Sequence, residues 1–296
     1  MKKLMLLINP NAGKGGYKTS IGEVLDIFSS GGYLTTVFFT RGRGDAPRLI
    51  AENAADYDMA VCIGGDGTLS GVTGGMMRIP EERRPLLGYI PLGTANDVSR
   101  SLGISRVPAT AARRIVEGTP RPYDVGYFCN DKHFSYIAAF GAFTEVSYAT
   151  PQDLKKNLGH LAYLLEGIRS LSKIRAYEAR VEYDEGVIEG EIIFGSIQNS
   201  TSMGGIVRLD SQKIDLADGL SEIILIPKVK DILQLNDILA DVTMGDFSGD
   251  GIIFLKTTKA KLTFKEEVAW TIDGEDAGLH SEVTIENCHP GVNIMV

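Results

Sequence analysis

Met59-Ala60-Val61-Cys62-Ile63-Gly64-Gly65-Asp66-Gly67-Thr68 sets an apolar run directly against a glycine-rich loop, ahead of a segment that can start a helix. The run reads as a buried strand and the loop as a phosphate-binding turn. Glycine lets the backbone take positive φ and approach a polyanion, and a helix N-terminus behind the loop adds partial positive charge. Asp66 is the odd member, because a carboxylate facing phosphates repels them unless a cation or a proton lies between. Bound Mg²⁺ is the economical explanation. Taken alone, the same residues also read as a plain glycine-rich turn between a strand and a helix.

Two further segments repeat the arrangement. Asn9-Pro10-Asn11-Ala12-Gly13-Lys14-Gly15-Gly16 follows the apolar run 4–8, and Pro91-Leu92-Gly93-Thr94-Ala95-Asn96-Asp97-Val98 follows the run 86–90. In a parallel sheet, loops at the C-terminal ends of strands converge on one crevice, where ligands bind. The first loop is not a Walker A sequence: that pattern needs a glycine where Ile8 stands, and Ser or Thr after Lys14 rather than Gly15.

Residues 1–125 alternate strand and helix candidates, as a parallel sheet demands, with helices expected near 20–28, from Asp45, from about Leu69 and on both sides of Pro108. After Pro120 and Pro122 the pattern changes to period-two and β-branched runs at 133–139, 176–183, 187–194, 220–226, 251–256, 261–264, 268–272 and 281–285. Such a stretch, interrupted by helical segments at 153–172 and 231–244, reads as an antiparallel sandwich or barrel. The expected fold is therefore α/β followed by all-β: an α/β nucleotide-binding domain over 1–125 and a β-sandwich over 126–287.

The chain has 296 residues, 44% hydrophobic and 23% charged, and no apolar run approaches the ~20 residues of a membrane span. A cytoplasmic protein is expected. Cys62, Cys129 and Cys288 are far apart in apolar surroundings and suit buried thiols in a reducing compartment. The net charge of −8 excludes nucleic acid as a partner and gives no global attraction to an anionic membrane. Local attraction rests on two basic groups, Arg78, Arg83 and Arg84, and Lys155, Lys156, Arg169, Lys173 and Arg175; the second is the candidate membrane face, and solvated helix charge is the simpler reading of both. His133, His160, His280 and His289 show no metal or triad spacing and receive no role. The oligomeric state is open, a homodimer included.

NPNAGKGG, GGDGTLSGV and PLGTANDVSRSLGI, in this order, resemble the diacylglycerol kinase catalytic-domain family, in particular its soluble bacterial lipid kinases. The resemblance continues through Asn157–Tyr163, Asp215–Leu220 and Asp273-Gly274-Glu275 and covers nearly the whole chain. It implies two domains with the active site in the cleft between them, residues 288–296 returning to the first. It also implies ATP and Mg²⁺ as cofactors, and transient contact with lipid at the membrane surface.

Phosphoryl transfer asks a protein to place phosphates, neutralise developing charge and accept the nucleophile's proton. Gly64, Gly65, Gly67 and Thr68 would supply backbone donors to the nucleotide, and Asp66 would hold Mg²⁺ directly or through water. Asn9, Gly13 and Lys14 would meet the phosphates from the first loop, and Thr94 belongs to the third. The resemblance places an adenine contact at Thr40 and supporting carboxylates at Asp97 and Asp124, which also read as a helix cap and a turn residue. It makes Asp273 the general base with Glu275 beside the metal, although Asp-Gly-Glu-Asp between β runs is a turn on its own terms. A separate structural metal site is implied at Asp215, Asp218 and the carbonyl of Leu220; an acidic turn is the other reading.

The expected activity is phosphorylation of a lipid hydroxyl, diacylglycerol to phosphatidic acid, with phosphatidylglycerol, ceramide or a sphingoid base as other acceptors. NAD kinase shares GGDGT, but its LGFL-type segment is missing. A non-catalytic lipid- or nucleotide-binding module has no need for the carboxylate set. The Ser/Asn-rich stretch 198–205 is singled out as a loop near the cleft that bears on acceptor preference.

Overall fold

In the computed structural model of the chain, residues 1–142, 174–203, 207–208 and 214–296 are described. Strands β1 (Lys2–Ile8), β2 (Tyr33–Phe39), β3 (Met59–Gly64) and β4 (Leu86–Pro91) pair in the order β4-β3-β1-β2, all parallel. β3 is buried along its whole length, as a strand covered on both faces must be. Between the strands run α1 (Tyr17–Ser30), α2 (Asp45–Asn53) and α3 (Asp66–Met76), followed by α4 (Asp97–Ser101) and α5 (Pro108–Glu117); α1 packs on α5 and α2 on α3. The third helix starts three residues earlier than Leu69. The amides of Thr68 and Leu69 both donate to the Gly65 carbonyl, so the glycine motif is itself the first helical turn.

The second half is antiparallel. It comprises β5 (Pro120–Phe128), β6 (Lys132–Phe134), β7 (Ile137–Gly141), β8 (Tyr177–Tyr183), β9 (Gly186–Gln198), the short β10 (Ser202–Met203) and β11 (Val207–Arg208), β12 (Ser221–Pro227), α6 (Ile232–Met244), β13 (Ile253–Thr257), β14 (Lys259–Ile272) and β15 (Glu275–Met295). Asp231 caps α6, its side chain accepting from the Gln234 amide at 2.9 Å. β14 fuses the expected runs 261–264 and 268–272, and its ladder with β15 shifts register between them. β5 occupies the stretch read as a proline turn. Its three leading residues, Pro120 to Pro122, are exposed at the strand's start, where a missing amide costs little. The helical segment expected at 153–172, the Asn157–Tyr163 motif, Lys155, Lys156, Arg169 and Lys173 lie outside the described residues.

β7 pairs β9, β9 pairs β8, β8 pairs β14 and β14 pairs β7, which closes a circuit of strands. Phe140, Trp270, Leu262, Ile197, Ile223 and Phe264 fill it, with the Phe140 and Trp270 rings 4.8 Å apart. A separate core gathers β1, β3 and β4 with their helices. β15 enters both: Ala277, Val283 and Ile285 belong to the barrel-like core, and Val292, Ile294 and Met295 to the parallel-sheet core, where Ile294 pairs with Leu87 of β4.

Candidate active site

The three glycine loops meet. The Asn9 side-chain amide donates to the Thr68 hydroxyl at 3.0 Å, and the Leu92 amide donates to the Gly64 carbonyl at 2.7 Å. Gly13 has φ +55°, and a Cβ there would lie 2.7 Å from the Leu92 carbonyl oxygen. A Cβ on Gly93 would lie 2.6 Å from the Gly65 Cα, so these two backbones touch only because neither carries a side chain. Asn96, itself left-handed at φ +53°, locks the third loop by accepting from the Gly93 amide and donating to the Gly93 carbonyl, both at 2.8 Å. A Cβ on Gly67, by contrast, would have only Glu275 Oε1 as a neighbour, at 4.0 Å, so this part of the cradle is open. Lys14 sits in the short helical turn Ala12–Gly15 of the first loop. Thr40 is buried just beyond β2, its amide donating to the Ile8 carbonyl at 3.0 Å, while Thr94 is exposed.

Asp66, Asp97 and Asp273 are brought together from three elements. Asp66 opens α3, 9% exposed, and accepts weakly from the Val98 amide at 3.4 Å. Burial, reinforced by the charges of Asp97 and Asp273, pushes its carboxyl up to about 6. Asp97, fully buried at the start of α4, accepts from the Ser202 hydroxyl at 2.5 Å, and Ser101 bonds Ser200 at 3.1 Å, so the 200–202 stretch is stitched to α4. Asp273 stands in the tight turn between β14 and β15 at φ +49°. Its carboxylate accepts from the amides of Ser135, Tyr136 and Ile137 at 2.6, 3.0 and 3.1 Å, and from the Ser70 hydroxyl on α3. Burial raises its pKa, and these four donors oppose the rise. A carboxylate has about four lone-pair directions, so Ser70 holds the one position that a single side-chain rotation frees. Glu275 lies near Gly67 at the surface, paired with Arg43 at 2.9 Å.

Asp124 is fully buried and bound from two sides, by His289 Nδ1 at 2.7 Å and by the Gly219 amide at 2.8 Å. Burial raises its pKa, and the His289 and Gly219 bonds oppose the rise. Asn199 adds a bond to its main-chain carbonyl at 3.0 Å. His289 thus has a structural role that spacing could not reveal, since its partner is 165 positions away. Ser202, Asn96 and the amides of 135–137 were equally unmarked; a Ser/Asn-rich stretch at 198–205 was the one signal in the sequence.

Asp215, Asp218 and Leu220 lie in one loop ahead of β12. Asp215 accepts from the Ala217 amide at 3.1 Å, closing its own turn. Asp218 faces the Lys256 ammonium at 3.2 Å, and the same ammonium lies 3.3 Å from Glu222. Burial pushes Glu222 up to about 7 against the pull of Lys256. Among the described residues no group of three or more His, Cys, Asp or Glu is arranged to hold a metal, which leaves open a set of two carboxylates and a main-chain carbonyl. Two members of the first basic group have partners: Arg84 donates to the carbonyls of Ile79 and Gly291, and Arg83 lies 3.7 Å from Asp56. Arg175 pairs with Glu266 and lies over the Tyr177 ring. No helix among the described residues is long and apolar enough to cross a membrane.

The chain is similar to known proteins over nearly its whole length. Residues 3–128 match the family model of the diacylglycerol kinase catalytic domain, and residues 138–295 match that of the YegS C-terminal NAD kinase beta sandwich-like domain. A diacylglycerol kinase of Bacillus subtilis is 34% identical over 285 residues, covering 94% of this chain and 91% of its own length. One from Staphylococcus aureus is 33% identical over 281 residues, covering 94% and 87%. A crystal structure of a diacylglycerol kinase-like protein from Bacillus anthracis superposes with a TM-score of 0.85 at 28% identity, covering 99% of this chain and 95% of its own. The chain belongs to the diacylglycerol kinase family and is a phosphotransferase that acts on a hydroxyl acceptor.

Proposed function

We propose that this chain transfers the γ-phosphoryl group of ATP to the free hydroxyl of diacylglycerol, giving phosphatidic acid. The observation that carries the reading is the convergence of three glycine loops on the carboxylates of Asp66, Asp97 and Asp273. The amides around Gly64 to Thr68, with Asn9, Gly13, Lys14 and Thr94, bind the nucleotide phosphates, and Thr40 borders the base. A buried Asp66 carboxyl whose proton affinity is raised by Asp97 and Asp273 is a poor neighbour for a polyanion and a good one for a divalent cation, so Mg²⁺ fits at Asp66. When bound, it would neutralise charge developing on the phosphates. Asp97 and Asp124 hold the surrounding loops in place, the first through Ser202 and the second through His289 and Gly219.

Asp273 then serves as the base. The acceptor hydroxyl takes the position of the Ser70 hydroxyl, and the carboxylate receives its proton late, as the oxygen bonds to phosphorus. The site lies in the cleft between a nucleotide domain of 1–125 with 288–296 and a lipid domain of 126–287. Contact with the membrane is transient and peripheral. The test is transfer of labelled γ-phosphate from ATP to diacylglycerol in mixed micelles, with NAD as the soluble control. Label in phosphatidic acid is expected, and Asp273→Ala should lower it by about 10³-fold while ATP still binds. Label in phosphorylated NAD, or equal turnover by the variant, would overturn the reading.

A further inference from the structure

One sheet face beside Asp273 carries polar side chains that the reaction as described does not use. Gln198 of β9 pairs across with Ile137 of β7, and Ser196 with Ala139. Ile137 is joined to Asp273 on both sides: its carbonyl accepts from the Asp273 amide at 2.8 Å and its amide donates to the Asp273 carboxylate. Gln198 therefore stands two strand spacings, about 10 Å, from the proposed base.

Alternation fixes which way these side chains face. Ile197, Ala138 and Ile223 of the intervening positions fill the barrel-like core, so Ser196 and Gln198 project from the opposite face. Both are fully buried there, and neither Gln198 Nε2, Gln198 Oε1 nor the Ser196 hydroxyl makes a hydrogen bond. A buried polar group left without a partner is destabilising, and a Leu or Val would fit an ordinary β-strand better at either position. Gln198 also opens the 198–205 stretch, whose next residues hold Asp124 through Asn199 and Asp97 through Ser202.

We propose that Gln198 and Ser196 are specificity residues that donate hydrogen bonds to an ester carbonyl of the acceptor lipid, oriented so that its free hydroxyl reaches Asp273. The two available donors, an amide N–H and a hydroxyl, match a group that only accepts. An ester carbonyl lies a few bonds from the reacting hydroxyl of a diacylglycerol. The dialkyl ether analogue has the same hydroxyl and the same chains but no carbonyl, and would leave both donors buried and unpaired. This rests on the lipid-kinase reading and names what that site recognises.

The experiment compares kcat/KM for a diacylglycerol and its dialkyl ether analogue in mixed micelles, with the wild-type chain, Gln198→Leu and Ser196→Ala. The wild type should prefer the ester by tenfold or more, as one lost hydrogen bond of about 1.4 kcal/mol predicts. Gln198→Leu should collapse that preference toward unity and leave the melting temperature equal or higher, because an unpaired amide has been removed. Ser196→Ala should shrink the preference in the same direction with less disturbance of packing. Equal rates on ester and ether by the wild type, or an unmoved ratio in both variants, would overturn the inference alone. No label on either lipid would bring down the kinase reading together with it.

Discussion

Two acidic loops carry the same side chain into opposite surroundings. At the end of β3, Asp66 is buried against Asp97 and Asp273, and although the Val98 and Asn96 amides bond to it, its carboxyl is pushed up to about 6. Ahead of β12, Asp218 faces the Lys256 ammonium at 3.2 Å. Asp66 stands beside two like charges, whereas Asp218 has a cation built in beside it. Motif spacing treats the two alike; burial and partner separate them.

The largest effect should come from Asp66→Asn, which removes a charge without changing shape. Turnover should fall by about 10³-fold, while the melting temperature stays equal or rises because repulsion with Asp97 and Asp273 is relieved. A variant that kept its rate would end the comparison at once. Lys256→Met should act the other way, on stability rather than chemistry. It leaves the buried Glu222 and Asp218 without their cation, and urea unfolding should show a loss of about 3 kcal/mol. Gly93→Ala drives a Cβ into the Gly65 backbone, and a shift of the loop near 1 Å should cost roughly 10²-fold in kcat/KM. Smallest of all should be the thermal response to chelation: stripping Mg²⁺ should stop transfer yet move the melting temperature by only about a degree. A large drop on chelation would show that the loop at 215–220 binds a structural metal.

Much of this was legible beforehand, for identifiable reasons. The loop at Gly64 to Thr68 announced itself because close backbone approach demands glycine, and that demand is local in sequence. The parallel sheet of the first half followed from alternating apolar runs and helices, though not its strand order. What stayed hidden were contacts with no local signature, such as His289 on Asp124 and Ser202 on Asp97, which only the antiparallel half's folding brings together. The boundaries missed were those set by pairing rather than propensity. β14 runs on through Lys265 and Glu266, between the two expected runs, because its pairing with β15 breaks at Thr263 and resumes at Val268 in a shifted register. Lys256 beside Asp218 was hidden for the same reason, since nothing in the order of residues places the two together.

β15 gives the molecule a thermodynamic property as well as a shape. Because Ala277, Val283 and Ile285 lie in one core and Val292, Ile294 and Met295 in the other, neither core is complete without a segment that also completes its neighbour. Two units that share a strand melt together. The expected calorimetric trace is a single peak whose measured enthalpy equals its van't Hoff enthalpy, and a chain cut near residue 126 should yield no independently stable N-terminal half.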